Sequence, residues 1–132
     1  MTPEQMIKKE ILTEAIELND DLNWDGELTA ENIDEAWERV LVETDSHWDF
    51  VSEFRESGED TGLPSQHSRH YEAREVAVEL SDGTWVGWTY WHGGGKYGEP
   101  EAIDWMEGAY LVDVKQEVKT VNVFSKREAT ND

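Results

Sequence analysis

The run VAVELSDGTWVGWTYW, residues 76–91, decides how this chain is read. Val76, Val78 and Leu80 alternate with Ala77 and Glu79, the period of a β-strand, and residues 85–91 return as an aromatic-rich partner. Between them stand Asp82 and Gly83, residue types that accept positive φ, so a tight hairpin turn is predicted there. Upstream, Tyr71 and Ala73 continue the alternation out of phase with Val76. That phase shift predicts a bulge near Arg74 and Glu75.

Downstream, residues 109–114 and 118–124 are rich in Val and predict a second antiparallel pair. Pro100 opens one or two helical turns over residues 100–107. On the other side, SerGlyGluAspThrGlyLeuProSer, residues 57–65, reads as a connector that runs to about residue 68. Before it the periodicity is helical. Thr2, Pro3 and Gln5 form a start signal, and Ile7, Ile11, Ala15 and Leu18 recur on one stripe as far as Asn19. After a turn at residues 23–26, Thr29 caps a second helix carrying Ile33, Ala36, Trp37, Val40 and Leu41. Trp48, Val51 and Phe54 suggest a third. The expected architecture is α+β, an antiparallel sheet of about four strands in two hairpins with the N-terminal acidic helices packed on one face. It is expected to be a single domain, residues 1–132, with an acidic helical part at 1–60, a connector at 57–68 and a β part at 69–125.

Charge is the second strong signal. The 132 residues hold 31 acids against 11 bases, a formal charge of −20. Residues 1–60 contribute −15 of it and residues 61–132 only −5. Seven Trp, four Tyr and three Phe separate the chain from disordered acidic tails. A surface this anionic argues against direct binding to nucleic acid or to an anionic membrane, because phosphate affinity comes from Lys and Arg. The absence of Cys excludes disulfides, thiolate metal sites and thiol catalysis. No apolar run approaches the roughly 20 residues of a membrane span, and the first 20 residues lack a signal-peptide core. A cytoplasmic protein is expected.

Two clusters stand out as candidate sites. In residues 88–100, Trp88, Tyr90, Trp91 and Tyr97 surround Gly93, Gly94, Gly95 and Lys96. The glycines would admit a ligand to backbone amides, Lys96 would meet a phosphate, and the rings would stack on a base. Arg69 and Arg74 join this set if the strands bring them near. The P-loop spacing is absent, and a plain glycine turn accounts for the run equally well. His67 and His70 have poor spacing for one metal, no serine nucleophile elbow occurs, and no carboxylate pair is singled out. No metal, no cofactor and no catalysis are expected.

The second cluster is the acidic helical surface: Glu10, Glu14, Glu17, Asp20 and Asp21 beside Glu31, Asp34, Glu35 and Glu38. At helical spacing, i+3 and i+4 carboxylates lie about 5–6 Å apart and repel by a few tenths of a kcal/mol per pair. A fold does not need so many, whereas a cationic partner would relieve the repulsion and associate fast under electrostatic steering. A solvated surface that serves only solubility is the plainer alternative.

Three runs carry a resemblance: SerArgHisTyrGlu at 68–72, AspGlyThrTrpValGlyTrpThrTyrTrp at 82–91 and GlyGlyGlyLysTyrGlyGluProGluAlaIleAspTrp at 93–105. Over residues 65–124 the chain resembles a group of small uncharacterised proteins of bacteriophages and prophages. The resemblance implies a setting, not a residue role: stoichiometric action in the host cytoplasm against a defence or nucleic-acid enzyme. The leading expectation is therefore a non-enzymatic inhibitor that presents a DNA-like acidic surface to a basic, nucleic-acid-binding host protein. The alternatives are a binder that sequesters a nucleotide through the aromatic and glycine loop, and an unrecognised enzyme. Self-association is compatible with all three.

Overall fold

The computed structural model describes residues 1–128, and the last four residues of the expected domain lie outside them. Helix α1 spans Pro3–Leu18. Its start is a complete capping box: the Gln5 amide donates to the Thr2 hydroxyl at 3.1 Å, and the Thr2 amide donates to the Gln5 side chain at 3.0 Å. Asn19 ends it, as the sequence predicts.

Helix α2 spans Ile33–Trp37 and widens into a π turn over Glu38–Val42. Thr29 does open this helix, but through its carbonyl, which accepts from the amides of Asn32 and Ile33. The side-chain cap is reversed, with the Thr29 amide donating to Asn32 Oδ1 at 2.8 Å. The π turn corrects the expectation of a regular helix through Leu41. Glu43 donates to the Glu38 carbonyl and Ser46 to that of Leu41, both five residues back, and Val40 and Leu41 are both buried. Helix α3, His47–Arg55, is the third predicted helix.

The sheet is antiparallel, in the order β1-β2-β3-β4. Its strands are Glu59–Asp60, Glu72–Glu79, Trp85–His92 and Tyr110–Leu111. The α+β architecture thus holds, while four local expectations are corrected. First, β2 and β3 pair without interruption from Glu72 opposite His92 to Glu79 opposite Trp85, so there is no bulge at Arg74. The phase shift arises because both faces are covered. Val76, Val78 and Leu80 face the helices, and on the other face Glu75 and Ala77 are buried and Ala73 is half-buried. Second, the hairpin loop has three residues, 81–83, closed by Leu80 donating to the Thr84 carbonyl. Only Gly83 takes positive φ, at 89°, and Asp82 instead accepts from the Thr84 amide.

Third, β1 lies inside the predicted connector and pairs with Ala77 and Val76 of β2. Fourth, residues 118–124 form no strand with 109–114. β4 pairs with β3 instead, Leu111 opposite Val86 and Tyr110 opposite Gly87. The reason is local. Lys115, Gln116 and Glu117 offer none of the residue types that reverse a chain in a short turn. Of the one or two helical turns expected over residues 100–107, one forms, a 3₁₀ turn at Pro100–Ala102.

The core lies between the helices and one face of the sheet. Ile7, Ile11, Leu12, Ile33 and Leu41 meet Val76, Val86 and Trp88, all of them fully buried. Each such side chain contributes about 1.5–3 kcal/mol. Trp88 stands at the centre, its ring centroid 5.3 Å from Phe54 and 5.2 Å from Trp105. Trp105 and Met106 close the core from the link before β4. Among the described residues, no helix is long and apolar enough to cross a membrane.

Candidate functional site

The acidic residues sort by what their carboxylates touch. Glu10 is half-buried and accepts from the Ser81 amide and hydroxyl, both at 3.0 Å, so it ties α1 to the hairpin loop. Asp34 accepts from Lys8 at 3.2 Å and from Gln5 at 3.3 Å, tying α2 to α1. Glu35 pairs with Arg39 at 3.1 Å. Glu14, Glu17, Asp20, Asp21, Glu31 and Glu38 are exposed.

The two sets do not form one continuous strip. Lys8 faces α2 and Glu10 faces the hairpin loop; two residues along a helix are about 200° apart around its axis, so these are opposite flanks of α1. Glu14 and Glu17 follow the Glu10 flank. Beyond the far end of α1 a cavity of about 490 Å³ is lined by Asp21, Asp25 and Arg39 with Leu22, Trp24 and Val40. Asp21 and Asp25 supply its carboxylates, and Arg39, paired with Glu35 of α2, supplies its one base.

Bases do little to offset them. Lys8 bridges Glu4 and Asp34, Arg39 holds Glu35, and the buried Arg55 holds Glu56 at 2.9 Å. Of the four bases in residues 1–60, only Lys9 has no ion pair among the described residues. Most of the −15 therefore faces solvent.

The aromatic and glycine set does not converge. Trp88 is fully buried in the core, where no base can reach it. Alternation along β3 puts Tyr90 on the helix face with Trp88 and sends Trp91 to the other. Tyr97 is exposed in solvent, with Lys96 Nζ 5.7 Å from its ring. Gly93, Gly94 and Gly95 all have positive φ, 79°, 89° and 70°. A Cβ on Gly94 would lie 2.5 Å from the Tyr71 ring, and the Glu99 amide donates to the Tyr71 hydroxyl. The loop is thus folded down on Tyr71. Arg69 is exposed before β2, and Arg74 lies over the Tyr90 ring at 5.0 Å. Arg55 occupies the same ring at 4.3 Å and donates to the Trp91 carbonyl. Glu56 accepts from the Tyr90 hydroxyl at 2.7 Å and, as the main cause, raises its pKa above the usual tyrosine value.

One polar centre is not among the sequence-predicted sites. Glu75 is buried on the outer face of β2, and its carboxylate accepts from the hydroxyls of Ser65 at 2.5 Å, Thr89 at 3.0 Å and Tyr110 at 2.7 Å. All its side-chain hydrogen-bond partners among the described residues are hydroxyls. Burial first, and the neighbouring carboxylate second, push the Tyr110 hydroxyl well above the ordinary tyrosine range. The centre joins β2, β3, β4 and the segment after β1. The available signal was an acid placed at the phase shift between Ala73 and Val76. Among the described residues, no group of three or more His, Asp or Glu is arranged to hold a metal ion.

Compared with known proteins, the chain matches no family model, no curated protein and no solved structure.

Proposed function

We propose that this chain acts without catalysis, as an inhibitor that binds a basic, nucleic-acid-binding protein through the acidic ridges of α1 and α2. One observation carries the reading. The first 60 residues hold 19 acids, and three of their four bases are already engaged within the chain, so the negative charge remains available to a partner. Carboxylates held on helices are ordered in advance, which lowers the entropic cost of binding and favours fast, salt-sensitive association.

The cavity at the end of α1 is the centre of the proposed contact. Asp21 and Asp25 would receive a lysine or arginine head, while Leu22, Trp24 and Val40 would accept its aliphatic stem. Glu14, Glu17, Asp20, Glu31, Asp34, Glu35 and Glu38 flank that centre. The phage setting and the host target enter through the resemblance of residues 65–124. The glycine loop has no part in this reading.

The test is retention of bacterial host proteins on the immobilised chain at about 50 mM and about 500 mM salt, with and without competing duplex DNA. A basic nucleic-acid-binding protein should be held at low salt, lost at high salt and displaced by DNA. A partner indifferent to both salt and DNA overturns the proposal.

A further inference from the structure

After β4 the chain continues as an extended arm. Residues 112–128 belong to no strand or helix, yet beyond Lys115 four apolar side chains of the arm stand in solvent: Val118 at 104% exposure, Val121 at 71%, Val123 at 88% and Phe124 at 88%. Such a run is strand-forming in composition and has no cover in the single copy.

A groove of about 320 Å³ lies at the root of the same arm, on the outer face of the sheet. Leu63, Ala77, Trp85, Val112 and Val114 supply apolar wall. Glu59, Asp60 and Asp113 supply carboxylates, against one base, Lys115. The arm has the complementary character. Residues 116–127 hold Lys119, Lys126 and Arg127 against Glu117, a net of +2 in a chain of −20, which leaves −22 on the rest.

We propose that two copies of this chain exchange arms, residues 116–127 of each lying across the groove of the other. Valines and Phe124 fill the apolar wall, and the basic residues meet Glu59, Asp60 and Asp113. The occupant is a second copy because the arm is poorly built to return to its own groove. It leaves that groove at Lys115, and no Gly, Pro, Asn or Asp lies between Lys115 and Val121 to reverse it. Its twelve residues reach about 40 Å when extended, enough to cross a neighbouring sheet. Each copy gives one arm and accepts one, so a reciprocal exchange closes as a symmetric pair.

The wild-type chain in solution tests this by light scattering. The expected mass is twice the 15.2 kDa of one chain. A triple variant, Val121→Asp, Val123→Asp and Phe124→Asp, should fall to the single-chain mass with an unchanged circular dichroism spectrum. The absence of native cysteine permits a second, independent measurement. Leu63→Cys and Val121→Cys proteins, mixed and mildly oxidised, should give the mixed disulfide in excess over either symmetric one. A single-chain mass for wild type at about millimolar concentration overturns the proposal. So does a dimer that survives the triple substitution, or a disulfide forming within one chain when both cysteines are placed in it.

Discussion

Replacing Tyr110 by Phe removes one hydroxyl and keeps the ring that packs over Gly87. That hydroxyl lies 2.7 Å from Oε1 of Glu75, a residue only 7% exposed, and it fastens the edge strand β4 to the middle of β2. A hydrogen bond to a charged group contributes about 1.5–3 kcal/mol. Tyr110 is only partly buried, and Ser65 and Thr89 still serve the carboxylate, so the lower end applies, about 1.5 kcal/mol. For a chain of this size that is a fall in Tm of roughly 6 °C. Urea unfolding should show the same loss with an unchanged slope. In a Glu75→Gln background the Tyr110→Phe cost should shrink by about 1 kcal/mol, since the charge that strengthens the bond has gone.

The pH dependence has a fixed sign. Burial and the Glu75 carboxylate raise the folded-state pKa of Tyr110, so its contribution is complete below the unfolded value near pH 10 and drains away as pH rises beyond it. Wild-type Tm should therefore fall more steeply than that of Tyr110→Phe above pH 10. Tyr90, also raised, is present in both proteins and cancels from the comparison. Equal slopes above pH 10, or a Tm change under about 1 °C at neutral pH, would refute this account of the Glu75 centre.

Trp88→Ala should cost about 3–5 kcal/mol, read from the urea midpoint, because the fully buried ring supports both Phe54 and Trp105. Gly58→Ala should cost about 1–3 kcal/mol, since its Cβ would lie 2.8 Å from Cγ2 of Val76 and 3.0 Å from the Trp88 ring; differential scanning calorimetry checks it. Changing Asp20, Asp21, Glu35 and Glu38 to their amides should leave Tm nearly unchanged while slowing association with a basic partner about tenfold and flattening its salt dependence, measured by surface-binding kinetics.

What the sequence disclosed was what neighbouring residues decide among themselves. The Thr2 and Gln5 capping box needs only four residues, and the central hairpin needs only its two strands and Gly83. What it hid depends on distant partners. Glu59 and Asp60 look like loop residues and become a strand because Ala77 and Val76 offer a free edge. Residues 118–124 have strand composition but meet no such edge in the single copy. The candidate site divides in the same way. Exposure of the acids follows from helical spacing, whereas the commitment of Glu10 to Ser81 and of Asp34 to Lys8 joins positions 71 and 26 residues apart. The rings of the Trp88 to Tyr97 run do not share one face because alternation along β3 sends them to different sides.

The stack of Phe54, Trp88 and Trp105 joins α3, β3 and the link before β4, three regions far apart along the chain. Indoles whose centroids are 5.2 Å apart couple optically, and one buried in apolar surroundings emits at shorter wavelength than one in water, such as the exposed Trp48. The molecule therefore carries its own spectroscopic gauge: loosening of α3 from the sheet will appear as a red shift as water reaches Trp88, and loosening of the link before β4 as a lost exciton signal, with no dye attached.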